Sequence, residues 1–318
     1  MKIREFEGTE NDYLAMVAVD RAVWPDQLIT LAATKHRDES RDKDYFLHRV
    51  MVEVEGQVVA VASAMEPHWS YRPGKYSLDI SVLPAFEGCG IGSDVYEYLT
   101  RLLYDRSPAP ILFTAGSRDD KPQGVRFLEK RGYTQTMRWP QSMIDLSTFD
   151  PGPFQAKADT VAATGIEIAS LAELSERDPD WQRKVYDLDW AGIQDEPQPD
   201  TPTQMPFERY VTTILEAPEF MPEGFFIAVD NGEYVGLSEL THNPDGNETL
   251  YTGFTCVLRS HRRRGVATAL KLRALTYAQS LGTRTVKTGN EENNPMYQIN
   301  LRLGFEPAPA WLAYEKAI

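Results

Sequence analysis

Apolar residues along this chain follow two periods, and the order in which those periods alternate occurs twice. In the first half, residues 2–6 read as a strand, 11–21 and 26–36 as helices, and 46–53 with 58–65 as alternating strands about a Glu55-Gly56 turn. A strand over 76–82 follows, then a helix with Ile91, Val95, Leu99 and Leu102 on one face, an apolar strand over 111–115, and a segment ending on Arg131-Gly132-Tyr133. In the second half, Ile166 opens a strand, and a hairpin is expected over 224–230 and 234–241 about Asn231-Gly232, a dipeptide suited to two-residue turns. A strand over 250–257, a helix over 266–281 stopped by Gly282, a strand over 283–288 and a segment ending on Leu303-Gly304-Phe305 complete the second round. Four elements in the same order predict an internal duplication and a mixed α/β chain.

The chemistry concentrates in two strand-to-helix turns. In Val257-Leu-Arg-Ser-His-Arg-Arg-Arg-Gly-Val-Ala-Thr268 the helix opens at a glycine behind Arg262, Arg263 and Arg264. Free backbone N–H groups and the helix dipole favour an anion there, and Gly265, Val266, Ala267 and Thr268 leave the backbone approachable. The upstream counterpart runs from Val82 to Ser93, with Gly88, Gly90, Ile91 and Gly92 around its helix start, and Val82 precedes Gly90 by the spacing that separates Val257 from Gly265. Glu87 stands where the downstream copy has Arg262.

The 318 residues divide into two domains of about 150 residues each, which we place at 1–150 and 165–318. The polar, turn-rich stretch 151–164 reads as the linker between them. Apolar runs fall short of the roughly 18 residues that span a bilayer, so no membrane role is expected. The start lacks a signal-peptide core, and Cys89 and Cys256 fall at different steps of the two repeats, which together predict a cytoplasmic protein without disulfides. A net charge of -14 excludes a general nucleic-acid binder and suits a cationic or amine-bearing substrate. No metal is expected.

The residues resemble the GNAT superfamily of acetyl-CoA-dependent N-acetyltransferases, and they do so twice. The family's pyrophosphate-cradling pattern, Q/R-x-x-G-x-G/A, is met in full by Arg262 to Ala267, and its later L-G-F by Leu303-Gly304-Phe305 with Asn293 upstream. The resemblance implies two tandem acyl-CoA N-acyltransferase domains with acetyl-CoA as co-substrate. On this reading Val257, Arg262–264, Gly265, Val266, Ala267, Thr268 and Asn293 hold the cofactor, with a second, degenerate or accessory cradle at Val82, Gly88, Gly90, Ile91, Gly92 and Ser93. Turnover is then expected in the C-terminal half, where replacing Arg262 and Arg264 with alanine raises the KM for acetyl-CoA.

Acetyl transfer to an amine needs a base for the ammonium proton and an acid for the departing thiolate. Glu239, on the expected third strand of the C-terminal half, is the candidate base. The family's acidic tyrosine falls on Asn300 downstream and Leu128 upstream, so Tyr297, one helical turn away, is the candidate acid. The proline-rich stretch 195–203 reads as a surface loop, or, as the resemblance implies, as a lip over the acceptor site whose Asp195 and Glu196 attract an amine. The expected activity is acetylation of a primary amine of a small molecule. The alternatives are a protein N-terminus or lysine as acceptor, or a non-catalytic CoA-binding sensor or scaffold. The assembly is expected to be a monomer with pseudo-dimeric domains or a homodimer.

Overall fold

The computed structural model describes residues 1–243 and 246–318. The first half runs β1 (Lys2–Glu5), α1 (Glu10–Val23), α2 (Leu31–Ser40), β2 (Leu47–Val54), β3 (Gln57–Met65), β4 (Lys75–Val82), α3 (Ile91–Tyr104), β5 (Leu112–Arg118), α4 (Pro122–Glu129) and β6 (Thr134–Asp145). Then come α5 (Gly152–Ala163), β7 (Glu167–Ser170), α6 (Leu171–Arg177), α7 (Trp181–Ile193) and α8 (Phe207–Tyr210), which continues as one π-helical turn. The chain closes with β8 (Phe220–Asp230), β9 (Glu233–Asn243), β10 (Gly246–Val257), α9 (Val266–Ser280), β11 (Thr285–Gly289), α10 (Pro295–Arg302) and β12 (Glu306–Ala317).

Local chemistry fixes most of these boundaries. Thr9 caps α1 by accepting from the Asp12 N–H, and Ser170 and Glu173 form a reciprocal capping box on α6. Helix α2 starts later than the expected residue 26 because Thr30 is its cap, accepting from the Ala33 N–H. The stretch expected to be a linker, 151–164, is helix α5. Pro151 at the cap and Pro153 in the first turn suit a helix start, where no N–H partner is lost.

The chain forms two compact units, Met1–Met137 with Trp311–Ile318, and Arg138–Ala310. Their edges therefore differ from the expected cuts at 150 and 165, because each half of the chain ends with a strand that belongs to the other unit. In the first unit the strand order is β1-β2-β3-β4-β5-β12, and β12 runs antiparallel to β5 from Trp311↔Arg118 to Ala317↔Leu112. In the second the order is β6-β11-β10-β9-β8-β7, and the end of β6 pairs with β11 from Gln141↔Gly289 to Asp145↔Thr285.

In the first unit, α3 and α4 pack on one face with Val50, Ala62, Tyr76, Leu99, Phe113, Leu312 and Tyr314, while α1 covers Met51 and Val61 on the other. Strands β4 and β5 run parallel but keep register only from Lys75↔Leu112 to Ser77↔Thr114. Beyond that point their residues border a cavity of about 490 Å³. The second unit repeats the short parallel register, Thr249↔Thr285 to Tyr251↔Lys287.

Candidate active site

Both anion turns fold alike. In the first unit a 3₁₀ turn, Pro84–Phe86, follows β4, Gly88 and Gly90 take φ of 77° and 87°, and α3 starts at Ile91. In the second the turn Arg259–His261 follows β10, Arg263 and Gly265 take φ of 61° and 88°, and α9 starts at Val266. Left-handed residues in this arrangement turn successive N–H groups toward one side, which makes a nest for phosphate at a helix N-terminus.

What lies over the two nests differs. A Cβ added at Gly88 or Gly90 would meet nothing within 4 Å, whereas one at Gly265 would touch Lys157 Cγ and Val161 Cγ2, each at 3.4 Å. Helix α5 lies on the second nest, and Phe154, Ala158 and Val161 pack into one core with Val266, Ala267, Ala269 and Leu270. Arg262 is engaged elsewhere: its Nε donates to the Val257 carbonyl at 2.9 Å, and its guanidinium pairs with Asp195, which also holds Arg259. Arg264 lies 3.9 Å from Asp230, and Arg263 is exposed. Asn293 donates both its backbone N–H and its amide to Glu291, at 2.8 Å each.

The first nest opens into the 490 Å³ cavity, whose walls include Leu78, Ile80 and Val82 from β4, Gly116 and Ser117 from β5, and Tyr96 from α3. Lys121, Arg126, Lys130 and Arg131 also line it, so cations around α4 stand where the exposed Glu87 gives none. Arg131 donates to Ser93 Oγ at 2.7 Å and its guanidinium lies 3.6 Å from the Phe127 ring centroid, which fixes one cation beside the nest. An acyl-CoA fits this donor set, with N–H groups and four cations for phosphates and an apolar strand edge for the pantetheine.

Pleat alternation sends Leu78, Ile80 and Val82 to the cavity and Ser77, Asp79 and Ser81 to the opposite face of β4, where α1 packs. Asp20 of α1 is hydrogen-bonded to Ser81 there. Burial, and then the charge of Asp79, push its carboxyl up to about 6. Trp24, at the end of α1, forms part of the cavity wall and packs against Trp311, with ring centroids 4.6 Å apart and planes tilted by 50°. Arg118 lies 5.5 and 5.8 Å from these two rings and is held by Asp26 and Asp120.

In the second unit Glu239 accepts the Phe254 N–H at 2.8 Å, across a bulge in β10 at which Gly253 leaves room for the carboxylate. Burial, and then Asp189, push its carboxyl up to about 8. Glu239 shares with Leu237 the sheet face that α7 and Tyr210 cover. Helix α10, which carries Tyr297, packs through Ile299 and Leu303 on the opposite, α9 face of the sheet. At the family's tyrosine position, Asn300 is fully buried and donates to Asn290 Oδ1 at 2.6 Å, while Leu128 is buried in the first unit.

The position five residues into each nest-borne helix also differs: Tyr96 in α3 and Lys271 in α9. Lys271 is 2 % exposed, and burial pulls its amine down to about 7 from an ordinary 10.5. A depressed lysine costs stability at every pH below 10.5, in full below about 7, and the cost fades as pH rises between the two. Lys271→Met is therefore expected to raise the melting temperature by about 5 °C at pH 6.5, with the gain vanishing toward pH 10.5 in thermal scans. A lower melting temperature at pH 6.5 would show that the amine is paired.

Sequence reasoning located both nests but passed over Asp20, Tyr96 and the cations of the α4 region. The profile of the Acetyltransferase (GNAT) family matches residues 11–133 and 184–305, and the chain belongs to that family as an N-acyltransferase with two GNAT domains in tandem. Among solved structures it is similar to a tandem GNAT protein from the clavulanic acid biosynthesis pathway, at 18% identity and a TM-score of 0.76, over 99% of this chain and 98% of that one. It is also similar to a GCN5-related N-acetyltransferase from Sphaerobacter thermophilus, at 17% identity and a TM-score of 0.68, over 99% and 95% of the two chains. At these identities the likeness establishes the fold. No curated protein sequence matches the chain. Among the described residues, no helix is long and apolar enough to cross a membrane.

Proposed function

We propose that the chain acetylates a primary amine of a small molecule, using acetyl-CoA held by the N-terminal unit. The observation that carries this reading is the contrast between an open nest at Gly88 and Gly90 and one covered by α5 at Gly265. The sequence reading placed turnover in the C-terminal half; the open, cation-lined cavity supports the opposite assignment. Glu239 and Tyr297 then have no acyl donor within reach. The C-terminal unit keeps the family's backbone with its cradle used as a seat for a helix.

Acetyl-CoA, when bound, supplies an activated thioester. The nest at residues 88–92 and the cations Lys121, Arg126, Lys130 and Arg131 hold its phosphates, and the diverging edges of β4 and β5 offer unpaired backbone groups to the pantetheine arm. Asp20 takes the proton that an incoming ammonium must lose, and its raised pKa keeps it a competent base near neutrality. The half-enclosed carboxylates Asp20 and Asp79 favour a cationic acceptor.

Arg126 and Lys130 are exposed, so reversing their charge leaves the fold intact. The double variant Arg126→Glu/Lys130→Glu is expected to weaken acetyl-CoA binding about 100-fold by calorimetry, at roughly 1–1.5 kcal/mol per lost charged contact. Arg262→Ala/Arg264→Ala should leave it within twofold, and the reverse pattern would return the site to the C-terminal unit.

A further inference from the structure

The chemistry leaves one group unassigned, the acid that protonates the departing thiolate. The tyrosine that would serve falls on Leu128, a cavity-wall residue without a proton to give. Three hydroxyl-bearing side chains other than Ser117 line the same cavity, from Ser93, Tyr96 and Tyr133. Ser93 Oγ is already the acceptor for Arg131, and the Tyr133 hydroxyl is fully buried. Tyr96 differs in what stands behind it. Lys316 Nζ donates to the Tyr96 hydroxyl oxygen at 3.4 Å and lies 5.9 Å from the centroids of both the Tyr96 and Tyr133 rings. Arg131 places its guanidinium 5.1 Å from the Tyr96 ring.

Because an ammonium can only donate, its bond to the Tyr96 oxygen leaves the phenolic O–H free to donate in turn. Lys316 reaches this place through β12, whose register sets it opposite Phe113 of β5.

We propose that Tyr96 is the catalytic acid of the N-terminal unit and that Lys316 is the positioning residue that holds its hydroxyl oxygen so that the O–H points to the leaving sulfur. The inference rests on the acyl-CoA site lying in that unit. Once Asp20 has passed the ammonium's proton to solvent, the neutral amine nitrogen bonds to the carbonyl carbon and the C–S bond breaks, Asp20 taking a second proton from nitrogen as Tyr96 gives one to sulfur. Solvent carries a proton from Asp20 back to Tyr96, so the cycle closes without another reactant.

Tyr96→Phe keeps the ring and is expected to lower kcat about 100-fold with the KM for acetyl-CoA within twofold. Lys316→Met should lower kcat about tenfold and Lys316→Arg restore it, an effect that loss of packing alone would not produce. The second readout is binding of CoA itself, followed by thiolate absorbance against pH. The thiol of CoA on the wild-type protein should ionise at lower pH than free CoA, and Tyr96→Phe should move it back. If Tyr96→Phe changes neither kcat nor the thiol titration, while Arg126→Glu/Lys130→Glu still weakens CoA binding, the acid assignment alone falls. If that double variant leaves CoA binding unchanged, the site assignment and the acid fall together.

Discussion

Removing Trp311–Ile318 is expected to unfold the N-terminal unit, although these residues lie far from it in sequence. They form the strand that closes β5, with register from Trp311↔Arg118 to Ala317↔Leu112. Leu312 and Tyr314 are 6 % and 2 % exposed and belong to the core beneath α3. Burying two such side chains contributes about 1.5–3 kcal/mol each, and β5 would be left with unpaired backbone groups at its edge. Against a total stability of about 5–15 kcal/mol, that loss is decisive. Trp311 also supports Trp24 in the cavity wall, so acetyl-CoA binding should disappear with the fold. Calorimetry of the truncated protein should show the unfolding of the C-terminal unit, Arg138–Ala310, without that of its neighbour. An unchanged melting profile with acetyl-CoA still bound would mean that β5 closes without β12.

Asp20→Asn is expected to lower kcat/KM by about 100-fold or more while raising stability. The two signs have one cause. The folded protein holds this carboxyl up at about 6, above its ordinary 3.8, so a proton leaves it less readily in the folded than in the unfolded chain. Stability is therefore lost as pH rises from 3.8 through 6, and an amide escapes that loss. Activity follows the opposite course, because the carboxylate is the useful form: the rate should climb through about pH 6 and level off above it. Asp79→Asn removes the neighbouring charge that helps raise the Asp20 pKa, so the rising limb should move to lower pH. Measuring kcat/KM against pH for the three proteins, with melting curves, checks this. A limb that stays in place in Asp20→Asn would assign the base elsewhere.

The repeat was legible because its signals are local. The Asn231-Gly232 hairpin, the glycine-opened helices at Ile91 and Val266, and the strands feeding them carry their periodicity within a few residues. Helix α5 was not legible. Pro151, Gly152 and Pro153 look like loop residues, and Phe154, Ala158 and Val161 gain meaning only when α9 is beneath them. That one element underlies our proposal for the N-terminal unit, since Arg262 to Ala267 is the better match to a phosphate-binding sequence yet the nest against which α5 packs. Asp20 and Tyr96 escaped for a related reason: each is one polar position on an amphipathic helix, distinguished only by its contact with Ser81 or Lys316 on a strand distant in sequence. The exchange of terminal strands leaves no trace in periodicity, because β6 and β12 read as strands wherever they pair.

The pairing of β5 with β12 also sets a timetable. During synthesis β5 emerges roughly 200 residues before its partner, and at about 5–20 residues per second the ribosome takes about 10–40 s to deliver it. Throughout that interval the edge of β5 is a template for any extended segment nearby. The cavity, whose wall rests on Trp311 and whose Tyr96 is held by Lys316, would take shape only after β12 has been made.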